Sequence, residues 1–320
     1  MQTRSRILIV GCGGIGGVIA TKLNAAQNAD VCTVSTNQAI VDAVRNHGFR
    51  MVGVEGALSA SGSIQATMPE GPFDFVLLAT RPPQVEEAAQ QAKPVLDENG
   101  VMLVLQNGLC EPRVAEIVGN ERTMGGIVSF GAGMQTPGLF EVTASGGITI
   151  GSLQAGEHAR MQELVVLLEP IGGIKCTQNL LGARYSKLAL NCAVSGIGTI
   201  GGMELGPLLR RTQVRNMALC VMREVVQVSR AEGVRLEPIA GTFDLNWLAD
   251  PSAASHGLSH WLRHAMLLLV GMKYRRLRSS MLRAIERGRA PAVGFLNGEV
   301  VQRANQHSIA APYNHSIQDT

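Results

Sequence analysis

The sequence predicts an α/β domain with a doubly wound, mostly parallel sheet, followed by an all-α domain. Three observations predict it. Ile7-Leu8-Ile9-Val10 is a run of branched apolar residues that passes through a glycine-rich turn into a segment of helical spacing. Further apolar runs of strand length, each ended by turn residues, alternate with helical segments through the first half of the chain. From Asn179 onward long helical patterns replace the strand signals. The expected division is a dinucleotide-binding domain over 1–177 and a helical, substrate-binding and catalytic domain over 178–320.

In the first turn Gly11, Gly13 and Gly16 give the spacing G-x-G-x-x-G. One glycine permits the tight turn, one lets backbone approach a pyrophosphate, and one lets helix and strand pack closely. The helix N-terminus beyond offers free N–H groups to phosphate. Because the pattern follows a strand and opens a helix, it reads as a Rossmann dinucleotide loop. Gly11, Cys12, Gly13, Gly14, Ile15 and Gly16 are therefore candidate cofactor ligands.

Val31–Ser35 is the expected second strand, with a helix over 38–46. An acidic residue ends this strand in NAD-preferring folds and grips the ribose; here Ser35-Thr36-Asn37 stands there, and Asp30 lies at the strand's start. A ribose phosphate would meet no carboxylate, so the expected cofactor is NADP, with Ser35 and Thr36 beside it. NAD stays open, because no arginine stands at the strand end either.

Residues 49–68 read as short strands. Phe73–Thr80 is a buried strand ending in Arg81-Pro82-Pro83, a helix follows over Val85–Leu96, and Gly100–Leu105 is a strand ending in Gln106-Asn107-Gly108. Open α/β sheets bind ligands at the carboxyl edge, where these strands deliver the glycine loop, Arg81 and Asn107. Asn107 has the alternative of shaping an ordinary Asn-Gly turn. Residues 123–151, with Thr136-Pro137-Gly138 as a turn, are expected to complete the same sheet.

Composition narrows the function. With 46% hydrophobic and 17% charged residues the chain is globular, and a net charge of +3 is too small to argue for nucleic acid. Six cysteines without a C-x-x-C pair argue for reduced thiols in a cytoplasmic protein, and against a disulfide framework or a zinc site. The apolar run Ala265–Val270 is too short to cross a membrane. A soluble protein is expected, and its charge and composition allow a homodimer.

The first helix of the second half, expected over 181–194, carries Lys187, Asn191 and Ser195 at a spacing of four, on one face. Leu188, Leu190, Cys192 and Val194 make its other faces apolar. A lysine on a buried helix is costly unless it is paired or opens on a cleft, so Lys187 is a catalytic candidate; the bland alternative is a lysine snorkelling to solvent.

Taken with Gln106-Asn107-Gly108, Lys187-Leu188-Ala189-Leu190-Asn191, Ser279-Ser280-Met281-Leu282 and Leu296-Asn297-Gly298, the glycine loop resembles the ketopantoate reductase (2-dehydropantoate 2-reductase) family over nearly the whole chain. The resemblance implies a Rossmann domain joined to a helical one, and NADPH-dependent reduction of a 2-oxo acid to a 2-hydroxy acid. It makes Lys187 the general acid at the ketone oxygen, chemistry that suits an ammonium beside a developing alkoxide. It assigns Asn107, Asn191, Ser195 and Ser280 to substrate, Asn107 also to the nicotinamide, and Arg81 to the cofactor phosphates in place of the family's lysine.

The chain also departs from the family's pattern. Pro291-Ala292-Val293-Gly294 puts Ala292 where the family has a glutamate, Ser195 replaces a second asparagine, and Arg283-Ala284 replaces Gln-Asp. The departures imply a pocket retuned toward a more apolar or differently shaped oxo acid. Glu286 and Glu299, the nearest carboxylates, read as solvated surface. His256, His260 and His264 lie four apart, but no acid or cysteine joins them at ligand spacing, so no metal is expected. The basic run Lys273–Arg278 reads as a solvated helix face or subunit contact. The expected function is an NADP-dependent 2-oxo acid reductase; the alternatives are a dehydrogenase of another hydroxy or oxo compound and a non-catalytic NADP-binding sensor.

Overall fold

The computed structural model describes residues 4–154, 156–238, 244–252 and 257–320. The chain divides into two compact units, Met1–Gln106 with Cys110–Leu180, and Asn107–Leu109 with Leu181–Thr320.

The first unit opens with β1 (Arg6–Val10), α1 (Gly14–Ala26), β2 (Asp30–Val34) and α2 (Gln38–His47). Three short strands follow, β3 (Phe49–Gly53), β4 (Leu58–Ala60) and β5 (Ser63–Gln65). Next come β6 (Phe73–Leu78), α3 (Val85–Ala92), β7 (Leu96–Val104) and α4 (Glu111–Val118). The unit continues with β8 (Thr123–Val128), β9 (Gly131–Thr136), β10 (Leu139–Ala144), β11 (Ile148–Ser152), α5 (Met161–Leu168) and β12 (Ile174–Thr177).

Eight strands form the main sheet in the order β12-β11-β8-β7-β6-β1-β2-β5, parallel except for the β8–β11 pair. The sheet's centre is apolar on both faces: Ile7, Leu8 and Ile9 of β1 and Val76, Leu77 and Leu78 of β6 are fully buried. Each such side chain contributes about 1.5–3 kcal/mol through burial. From β1 the chain moves to one side for β2 and to the other for β6 and β7, which puts the switch point of the sheet at the glycine turn.

The expectation that residues 123–151 complete this sheet holds only for β8 and β11. The hairpin β9–β10, turning at Thr136-Pro137-Gly138, joins β3 and β4 in a separate four-stranded sheet of order β4-β3-β10-β9. The helix α1 draws it away: Phe140 of β10 packs on Gly17, where a Cβ would overlap the ring. The helix expected over Val85–Leu96 also stops early. Pro94 has no N–H to continue the ladder, so a single 3₁₀ turn, Lys93–Val95, leads straight into β7.

The second unit takes up α6 (Leu180–Asn191) from Leu181, then a π-helical turn over Cys192–Gly196 and α7 (Ile197–Ile200). It continues through α8 (Leu205–Arg210), α9 (Thr212–Ala231), α10 (Leu245–Leu248) and α11 (Leu258–Lys273). The last helices are α12 (Ser280–Glu286), α13 (Asn297–Gln306) and α14 (Pro312–Asp319). Its core gathers Tyr185, Leu188 and Cys192 against Val221, Val225 and Val300, with Leu109 from the turn after β7. Among the described residues no helix is long and apolar enough to cross a membrane.

Candidate active site

The glycine turn is built as a dinucleotide would require. Gly11 has φ +102°, and a Cβ there would lie 2.8 Å from the backbone of Ala79; only glycine takes that conformation in that space. Its amide donates to the carbonyl of Val34 at 2.9 Å, which ties the turn to β2. A Cβ on Gly16 would overlap the carbonyl oxygen of Gly11, so this glycine lets α1 press on the turn. Gly13, the residue before α1, is different: a Cβ there would meet nothing within 4 Å, and the residue is exposed. That open backbone at a helix N-terminus fits a pyrophosphate. Cys12 is buried, and burial pushes its thiol up to about 12, so it serves as a small apolar residue.

The neighbouring strand ends share this edge. After β2, Ser35 is buried and Thr36 exposed; Ser35 Oγ accepts from the amide of Asn37 at 3.3 Å, and Asn37 caps α2 by accepting from Ala39 at 3.0 Å. After β6, Arg81 is half-buried before a 3₁₀ turn, and Thr80 accepts from the amide of buried Gln106 at 3.1 Å. The residues after β2 fit an adenosine ribose without opposing a negative charge.

In the second unit, α6 is buried on most sides. Gly182–Ser186, Leu188 and Ala189 are buried, whereas Lys187, Leu190 and Asn191 are half-buried. Lys187 and Asn191 lie one turn apart on one face. The uninterrupted helix expected over 181–194 gives way at Cys192 to the π-turn, and Ser195 lies in that turn, where the wider repeat shifts it from the face that a spacing of four implies. Side chains from elsewhere in this unit satisfy carbonyls of the turn. Asn297 reaches Cys192 O at 3.4 Å, and Thr199 Oγ1 and Ser279 Oγ reach Ser195 O at 2.7 and 3.0 Å. Asn297 is fully buried and also donates to Asn314 at 2.9 Å, and Asn314 in turn donates to Glu224 at 2.7 Å.

Asn107 is exposed, and its turn belongs to this second unit although it follows β7. Gly108 has φ +95°, and a Cβ there would lie 2.5 Å from the carbonyl oxygen of Phe295. The turn therefore packs on the segment that follows Ala292, itself half-buried before a 3₁₀ turn over Val293–Phe295. Ser280 is exposed at the start of α12, while its neighbour Ser279 is buried and caps the helix through the amides of Met281 and Leu282. A serine immediately before an apolar helical run is the capping signal that identifies Ser279.

Glu299 is not the solvated side chain expected of it. It is 5% exposed, and its carboxylate accepts from Arg303 Nε at 2.7 Å, one turn along α13. Arg303 also pairs with Glu232 at 2.9 Å, and Glu232 accepts from Tyr185 Oη at 2.5 Å. Burial first, and then this bond, raise the Tyr185 phenol well above its ordinary value. Glu286 is on the surface, paired with Arg278. The basic run is exposed from Lys273 to Leu277. The His260 and His264 rings lie 4.4 Å apart between centres, tilted by 60°, and His256 lies outside the described residues. Among the described residues no group of three or more His, Cys, Asp or Glu side chains is placed to hold a metal ion.

Comparison with known proteins agrees over both units. Residues 7–155 match the family described as "Ketopantoate reductase PanE/ApbA", and residues 179–320 match "Ketopantoate reductase PanE/ApbA C terminal". The 2-dehydropantoate 2-reductase of Pyrococcus horikoshii is 25% identical over 311 residues, covering 97% of this chain and 94% of that protein. Among solved structures, the PanE/ApbA family ketopantoate reductase of Ralstonia eutropha has a similar fold, with a TM-score of 0.82 at 22% identity over 98% of this chain and 96% of that one. So does D-mandelate dehydrogenase with NADH and anilino(oxo)acetate, with a TM-score of 0.83 at 19% identity over 98% and 96%. The chain belongs to the ketopantoate reductase family, oxidoreductases that act on CH–OH donors.

Proposed function

We propose that this chain reduces a small 2-oxo acid to the 2-hydroxy acid with NADPH, and that Lys187 is the general acid. The observation that carries the reading is Lys187 and Asn191 side by side on a helix whose other positions are mostly buried. A bound reduced nicotinamide supplies a hydride to the carbonyl carbon. The Lys187 ammonium donates a hydrogen bond to the ketone oxygen, stabilises the negative charge that develops there, and gives up the proton that completes the hydroxyl. Asn107, Asn191, Ser195 and Ser280 orient the oxo acid. Gly11–Gly16 and Arg81 hold the cofactor phosphates, and Ser35 and Thr36 take the ribose end. Supporting NADPH is the lack of a carboxylate after β2; the lack of an arginine there favours NADH as the second reading.

The curated relative from Pyrococcus horikoshii is named for ketopantoate reduction. Here Ala292 brings a methyl group where the family has a carboxylate. That replacement favours an oxo acid with a more apolar body than ketopantoate. A panel of 2-oxo acids, ketopantoate included, followed by loss of NADPH or NADH absorbance, tests the reading. The expected preference is for apolar side chains with NADPH. Highest kcat/KM on ketopantoate would contradict the proposed pocket, and lower KM for NADH the proposed cofactor.

A further inference from the structure

One turn of α11 carries His260, Arg263 and His264. Arg263 is 3% exposed and His264 8%. Arg263 Nε donates to the backbone carbonyl of Trp247 at 3.0 Å, with the guanidinium 5.3 Å from the centre of the indole ring. Arg215 of α9 donates from Nε to His264 Nδ1 at 3.1 Å. Arginine has donors only, so Nδ1 is the acceptor and the imidazole proton sits on Nε2.

Three nitrogens of this turn are buried without a hydrogen-bond partner among the described residues: His260 Nδ1, Arg263 Nη1 and His264 Nε2. Acids are missing as well. Arg215 bonds to His264, to the carbonyls of Leu209 and Arg210 and to Thr212, and Arg263 to the Trp247 carbonyl, so among the described residues neither guanidinium meets a carboxylate. Residues 239–243 and 253–256, which lie outside the described ones, include no Asp or Glu in their sequence. A buried guanidinium with unused donors and no counter-charge is among the costliest arrangements in a protein interior. Water can take up the donors, but it leaves the charge unbalanced.

We propose that this turn of α11, together with Arg215, is a binding site for an oxyanion carried by a small molecule. Arg263 Nη1, the His264 Nε2 proton and, in its Nδ1–H tautomer, His260 supply directed donors, and Arg215 adds a second positive charge behind the ring. Two residues of the adjoining segments, Leu267 one turn further along α11 and Leu248 next to Trp247, line an apolar cavity of about 30 Å³ together with Val194, Ile197 and Met222. A ligand with an apolar body beside its acid group therefore suits the site better than a bare ion does. A carboxylate and a phosphate share the chemistry required.

The test is isothermal titration calorimetry at fixed ionic strength, with inorganic phosphate, acetate and isovalerate as separate probes. Saturable one-to-one binding of at least one probe is expected, tightest for isovalerate if the group is a carboxylate and for phosphate if it is not. Arg263→Met should weaken that binding tenfold or more, on the order of the loss of one charge-assisted hydrogen bond. Lys187→Ala should leave it unchanged. If Arg263→Met does not fold, His260→Ala at a half-exposed ring replaces it, and the ring proton resonances of His260 and His264 in the unaltered protein should shift with the same saturation curve. No saturable heat with any probe would mean that the turn holds water alone and would overturn the proposal. Binding that survives Arg263→Met or, where that variant does not fold, His260→Ala would overturn it equally, as would binding lost in Lys187→Ala, which assigns the ion to the substrate face.

Discussion

Ser279 Oγ donates to the backbone carbonyl of Ser195 at 3.0 Å while accepting from the amides of Met281 and Leu282. One hydroxyl thus caps α12 and satisfies a carbonyl of the π-turn that follows Asn191. Asn297 does the same for Cys192 from α13. The C-terminal end of the helix bearing Lys187 is therefore fixed by residues more than eighty positions away in sequence, and its geometry depends on their presence.

Ser279→Ala and Ser280→Ala should separate structure from binding. Losing the cap and the tie to Ser195 should lower stability by about 1–2 kcal/mol, seen as a lower midpoint in thermal denaturation. Ser280 is exposed and makes no such bond, so its replacement should leave the midpoint unchanged and raise KM for the oxo acid. Equal midpoints for the two variants would remove Ser279 from this role.

The glycine turn yields a second contrast. A methyl group on Gly13 meets nothing in the protein, whereas one on Gly16 overlaps the Gly11 carbonyl. Gly13→Ala should fold normally and bind NADPH at least tenfold more weakly by fluorescence titration, because the methyl group enters the space left for phosphate. Gly16→Ala should lose stability before any question of binding arises. A Gly13→Ala variant with unchanged cofactor affinity would place the pyrophosphate elsewhere.

A third expectation concerns acid. Burial, then the neighbouring His260 and Arg215, hold the His264 imidazole below its ordinary value of 6.5. Arg263 adds a further positive charge on the same turn of the helix. The folded state thus binds this proton more weakly than the unfolded chain does. The neutral ring's contribution to stability is present above the unfolded value and fades as pH falls below it. Denaturation midpoints measured from about pH 7.5 down to about pH 5.5, in a buffer without carboxylate or phosphate, should fall less for His264→Gln than for the unaltered protein. Parallel profiles would mean that His264 titrates alike in both states.

Local pattern made much of this molecule legible. The run Ile7–Val10, the glycine spacing after it and the turn residues behind each apolar strand identify the parallel sheet and its ligand edge, because each is a short-range consequence of backbone conformation. What sequence left hidden depends on partners. Glycine, β-forming residues and the turn Thr136-Pro137-Gly138 mark residues 123–151 as strands, but the packing of Phe140 on Gly17 decides which sheet the hairpin joins. Glu299 looks solvated until it is seen buried with Arg303, which bonds both to it and to Glu232. Cys192–Gly196 has no sequence mark of a π-turn; the side chains of Ser279, Thr199 and Asn297 hold its carbonyls from other elements.

The central claim is that Lys187 supplies the proton. Steady-state kinetics of Lys187→Ala, with NADPH affinity measured alongside by fluorescence, tests it most directly. The expected result is a loss in kcat on the order of 10²–10⁴-fold, with cofactor affinity and denaturation midpoint nearly unchanged. A variant that keeps most of its turnover would contradict the assignment.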